Sequence, residues 1–129
     1  MPSTRLVWTG RVVSFLGALP FVPSAAMKLL RHPEVVKGMA HLQLPESMIL
    51  PLGILELLCV VVYAVPRTAV LGAILLTGYL GGAMLTHLRI GEPVYTHVVL
   101  GVFLWLGLFL REPRLRELLP LRKRDRRAG

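Results

Sequence analysis

The sequence predicts an all-α integral membrane protein, an up-down four-helix bundle with a short interfacial helix between its first and second spans. Three observations carry this. Of the 129 residues, 54% are hydrophobic and only 17% are charged, with a mean hydropathy of +0.64, a composition unlike that of soluble domains. The apolar residues fall in four runs, near 8–28, 47–66, 68–88 and 94–110, each close to the roughly 20 residues that a helix needs to cross a bilayer. None of these runs alternates polar and apolar residues, and lipid offers no water to unpaired backbone groups, so helices rather than a β-barrel satisfy them. The expected organisation is one four-span domain over residues 1–112 followed by a basic tail over 113–129.

Each element has a local reason. Pro20 and Pro23 remove backbone donors inside the first span, so a kink or an unwound turn is expected there. After it, Pro33 suits a first helical position, and Val35, Val36, Met39 and Leu42 share one side, which is the pattern of an amphipathic surface helix. Pro66-Arg67 is the whole connection between the second and third spans, which makes these helices antiparallel neighbours. The third span is rich in small residues, and Gly78-x-x-x-Gly82 predicts a close helix contact within the chain, with a second copy or with a membrane partner. Gly91 suits the end of that helix and Pro93 the start of the next.

Charge sets the orientation. Eight of the fifteen Lys and Arg follow Leu110, and basic residues beside a last span follow the positive-inside rule, so both termini are expected in the cytoplasm. On that topology Arg5, Arg11, Arg67 and the tail cations lie inside, and Lys28, Arg31, Lys37 and Arg89 outside, 11 against 4. The net charge of +8 is thus a lipid-facing feature and not a sign of nucleic-acid binding. Arg5, Arg11 and the run from Val12 to Ala26 also imitate a cleavable signal peptide, an alternative that the two prolines disfavour. The one cysteine, Cys59, has no partner for a disulfide or a dithiol relay and reads as a buried thiol.

Glu56 stands near the middle of an otherwise uncharged span. An ionised group there costs about 3 kcal/mol on insertion scales, so it faces a partner or a cavity and is a site candidate by default. Helical spacing places Glu56 on one stripe with Gly53, Cys59 and Tyr63, and Tyr79 on another with Ala83 and Thr86. Glu56 and Tyr79 each lie ten residues from an outer helix end, about 15 Å at helical rise, and so at one depth. Thr86, His87, Arg89 and His97 lie above them, with Lys28 at the outer end of the first span. The expected site is an outward-opening funnel with Glu56, Tyr79 and His87 as candidate catalytic residues and Lys28, Thr86, Arg89 and His97 as ligand-binding residues. No metal site is expected, since two histidines and a distant carboxylate are a weak set. Two states of Glu56 stay open: ion-paired with Lys28, His87 or Arg11 as a helix lock, or unpaired as a protonated acid that serves a ligand, the second being favoured.

The chain also resembles the DoxX-like family of small bacterial four-helix membrane proteins. The resemblance rests on Lys28 before His32-Pro33, on Gly53 with Glu56, and on Gly82-Ala83 followed by Thr86, His87 and Arg89. It implies a bacterial inner-membrane protein and, by association, redox or small-molecule metabolism linked to quinones. It implies no particular cofactor, and the sequence carries no haem or flavin motif. Two functions follow as expectations: binding of a small amphipathic or anionic molecule, with acid-base or redox chemistry, or an accessory role in a membrane assembly. A small transporter is a third, disfavoured by the lack of an internal repeat.

Overall fold

The computed structural model describes residues 4–122. Among these residues every regular element is helical: α1 (Thr4–Ala18), α2 (Phe21–Leu29), α3 (Pro33–His41), α4 (Ile49–Ala64), α5 (Ala69–Arg89), α6 (Tyr95–Arg111) and α7 (Pro113–Leu118), with single 3-10 turns at Glu46–Met48 and Pro66–Thr68. Three stretches are long and apolar enough to cross a membrane, namely Thr4–Leu29, Glu46–Ala64 and Pro66–Arg89, and Tyr95–Arg111 is a shorter apolar helix. Residues 123–129 of the expected tail lie outside the described residues. The segment before them folds back, because α7 packs on α6 and buries Leu115 in the apolar core.

The first apolar run breaks where its prolines require. Pro20 has no N–H to continue the ladder, α1 ends at Ala18, and α2 begins at Phe21. The two halves then follow different neighbours, α1 packing on α6 and α2 on α4, while α4 packs on α5 and α5 on α6. Small residues mark the closest approaches. A Cβ on Gly10 would lie 2.7 Å from the Gly107 carbonyl, one on Gly17 would lie 2.9 Å from Phe103 Cβ, and one on Gly53 would lie 2.8 Å from Lys28 Cβ. A Cβ on Gly72 would overlap the backbone of Tyr63. The α1–α6 seam is therefore built on Gly10, Ser14 and Gly17, all buried, the small-residue spacing that lets membrane helices touch.

Three helices at the α3 end of the molecule finish in the same way. After α2 the amides of Arg31 and His32 donate to Lys28 and Met27, after α3 those of Gln43 and Leu44 donate to Ala40 and Met39, and after α5 those of Gly91 and Glu92 donate to Leu88 and His87. Each is a Schellman motif, which needs a left-handed residue just past the helix. Gly91 takes that conformation at φ 80°, whereas Arg31 at 50° and Gln43 at 60° do so against the preference of their side chains. The expected start of α3 is also found, with Pro33 in its first turn and His32 Nδ1 accepting from the Glu34 amide at 3.2 Å. Met39 is buried, while Val35, Val36 and Leu42 are half-buried.

Candidate functional site

The break at Pro20 has a spatial consequence. Because α1 stays with α6 while α2 leans on α4, space opens in the half of the molecule that carries α3. A cavity of about 500 Å³ fills it, with walls from α2, α3, α4, α5 and α6. Most of the lining is apolar, including Phe21, Met39, Leu52, Leu80 and Leu100.

The polar part of the wall is a closed set of three side chains. Lys28 Nζ lies 3.1 Å from Glu56 Oε1 and donates to Ser24 Oγ at 2.8 Å, and Ser24 Oγ donates to Glu56 Oε2 at 3.1 Å. The Glu56 side chain is 3% exposed and that of Lys28 16%. Burial of a lone carboxylate is costly, and a close cation with a second donor offsets that cost only when both oxygens are satisfied, as they are here. The ammonium uses two of its three N–H donors in this set. Its nitrogen also lies 5.8 Å from the centroid of the Tyr79 ring, within the range of cation–π attraction. The ammonium of Lys28 thus faces both Glu56 and the Tyr79 ring.

Of the two states open to Glu56 in the sequence, the paired one forms, with Lys28. The favoured expectation of an unpaired acid is not the arrangement found. Lys28 sits at the end of the broken first span, and its long stem carries the charge down to mid-helix depth. The other candidate partners are engaged elsewhere: the Arg11 guanidinium lies 5.1 Å from the Trp8 ring, and His87 Nδ1 lies 3.3 Å from Glu92 Oε2.

A second polar group lies at the mouth. Glu92 bridges two histidines, its Oε1 meeting His41 Nε2 and its Oε2 meeting His87 Nδ1. The His87 and His97 rings are 4.8 Å apart between centroids, and both line the cavity. His41 is well exposed, so these groups run from the surface of α3 to the cavity wall.

Six of the seven residues expected from sequence, Lys28, Glu56, Tyr79, Thr86, His87 and His97, line this one cavity. Arg89 does not. Its guanidinium donates to the Leu42 carbonyl and fastens the loop after α3 to the end of α5. Thr86 lines the cavity with its hydroxyl hydrogen directed back to the Gly82 carbonyl at 2.7 Å. Gly78 and Gly82 also line the cavity, and among the described residues nothing lies within 4 Å of a Cβ built on either. Instead of holding two helices of the chain together, they leave room. Sequence reading missed Ser24, which is one helical turn before Lys28 and so shares its face. It also missed Glu92, whose place five residues after His87 was the available signal, and His41, which 51 residues separate from Glu92.

Long apolar helices around a mostly apolar cavity with a few polar groups in its wall define a small membrane protein. The sequence profile of the DoxX-like family matches residues 12–110, and the chain belongs to that family. Neither the curated proteins nor the solved structures contained a match.

Proposed function

We propose that the protein is a four-span bacterial inner-membrane protein that binds a small amphipathic or anionic molecule in this cavity. The observation that carries the reading is a mostly apolar space of about 500 Å³ with the buried Glu56 and its half-buried partners Lys28 and Ser24 in its wall. Ligand sites are of this size and kind, largely apolar with a few polar groups that orient the guest. The remaining donor of Lys28 is suited to a carbonyl or an anionic oxygen, and the leucine-rich walls to an acyl or ring portion. Glu56, Tyr79 and His87 are among the groups there that can hold or release a proton, so a quinone-type head is a fitting guest for acid-base or redox chemistry. The His41–Glu92–His87 series would connect them to the surface.

The test uses two neighbouring glycines. Gly82 lines the cavity, whereas Gly81 does not, and a Cβ on either meets nothing within 4 Å among the described residues. In detergent, a short-chain quinone and a medium-chain fatty acid are titrated against the full chain and followed by Trp fluorescence. Saturable binding of at least one, lost in Gly82→Leu and kept in Gly81→Leu, is expected. Failure of both probes to bind, or equal binding by the two variants, would overturn the site.

A second reading draws on the same ion pair. In it the protein is an accessory subunit, and Lys28 and Glu56 only lock α2 to α4. That reading expects folding to depend on the pair and expects no saturable ligand at all.

A further inference from the structure

A second gathering of charge lies at the opposite end of the helices from α3. A smaller cavity of about 150 Å³ is enclosed there by the early turns of α1, the first turn of the segment that starts at Pro66, and the last turn of α6. Its charged walls are Arg11, Arg111 and Glu112.

Lys28, Lys37 and Arg89 are each held by an oxygen of the chain. Arg11 and Arg111 are not. Among the described residues neither forms an ion pair, and each guanidinium lies over an aromatic face, Arg11 at 5.1 Å from the Trp8 ring and Arg111 at 5.7 Å from that of Tyr63. A stacked guanidinium uses its face and leaves the N–H donors around its edge unspent. Arg111 Nε is moreover buried and has no acceptor among the described residues, although Glu112 adjoins it. One oxygen of that carboxylate is occupied in accepting from the Arg114 amide at 3.3 Å. Leaving a buried charged donor without an acceptor is costly, so an acceptor from outside the chain would be stabilising.

Three features specify that acceptor. Two guanidinium groups at one small cavity match the several oxygens of a phosphate, which accept in bidentate fashion. The first turn of the third long segment contributes Pro66, Ala69 and Val70 to the wall, adding the positive end of a helix dipole. Exposed Trp8 beside the site is an interfacial residue by type, and places the cavity near the level of lipid headgroups. Glu112 in the wall disfavours a second negative charge, so a singly charged phosphodiester suits the site better than a phosphate dianion. We propose that Arg11 and Arg111 bind a phosphate group, supplied by the headgroup of an anionic phospholipid or by free phosphate. The inference is independent of the cavity on the α3 side.

The experiment is native mass spectrometry of the delipidated full chain in neutral detergent with equal phosphatidylglycerol and phosphatidylcholine. The expected result is a preference of about tenfold for phosphatidylglycerol, reduced by about tenfold in Arg11→Gln and in Arg111→Gln, in line with one lost charge-assisted hydrogen bond. Arg122→Gln, an exposed change at the same end, should alter it by less than about twofold if the pocket rather than diffuse charge is responsible. Retained lipid in the presence of millimolar inorganic phosphate assigns the site to phospholipid, and displacement assigns it to the free ion. If Arg111→Gln does not fold, Arg11→Gln and Arg11→Lys decide, with loss expected in the first and partial retention in the second. No preference between the lipids, an unchanged preference in Arg11→Gln, or an equal loss in Arg122→Gln would overturn the proposal.

Discussion

Lys28 reaches from the end of α2 to place its ammonium 3.1 Å from the Glu56 carboxylate of α4, with Ser24 closing the set. The pair joins two helices across the polar wall of the larger cavity. Removing one member leaves the other buried without a counter-charge, and such changes cost roughly 3–5 kcal/mol. Glu56→Gln and Lys28→Met should each lower stability to that extent in a denaturant titration of the detergent-solubilised protein. Lys28→Met combined with Glu56→Gln should be much less destabilised than the sum of the two. Additive losses would show that the ion pair is not what links the residues. Ligand titration of the folded double variant separates a site from a helix lock, because only a site loses binding.

Glycines divide into those that touch a helix and those that leave space. Gly72→Ala drives a methyl group into the Tyr63 backbone, and overpacking of this kind costs about 1–3 kcal/mol. The methyl group of Gly82→Ala meets nothing within 4 Å among the described residues, and the change should alter stability by no more than about 1 kcal/mol, the range of the intrinsic helix preference. Thermal unfolding in one detergent compares them directly. A Gly82→Ala protein less stable than Gly72→Ala would overturn this division and restore the packing role that the Gly-x-x-x-Gly spacing suggests.

Orientation in the bilayer is expected from the distribution of basic residues, 11 toward one side and 4 toward the other. Reporters fused at the N-terminus and after Gly129 should both report the cytoplasm. A terminus found on the far side would remove the four-span reading, and with it the outward opening of the larger cavity.

Gln43 offers a test of the helix ends. Its φ of 60° is a conformation that costs a side-chain-bearing residue about 1–2 kcal/mol. Gln43→Gly should therefore raise stability by up to about 1 kcal/mol, since glycine also loses more freedom on folding. A clear fall in the unfolding midpoint would show that the Gln43 side chain contributes more than its strain.

By itself the sequence determined the membrane class, the apolar stretches, the break at Pro20, the start of α3 at Pro33 and the end of α5 before Gly91. These depend on hydropathy and on backbone chemistry within one or two helical turns, which local sequence encodes. It also placed Glu56 on the stripe with Gly53, Cys59 and Tyr63, all buried, because helical period alone decides which residues share a face. Only the tertiary structure decided what that face meets. Lys28 became the partner of Glu56 because the broken first span crosses from α6 to α4, and Arg89 left the expected site to hold the loop after α3. The same holds for the glycines. Gly10 and Gly17 touch α6 while Gly78 and Gly82 border a cavity, and spacing cannot separate the two cases, since a missing side chain allows either a close helix or an empty space.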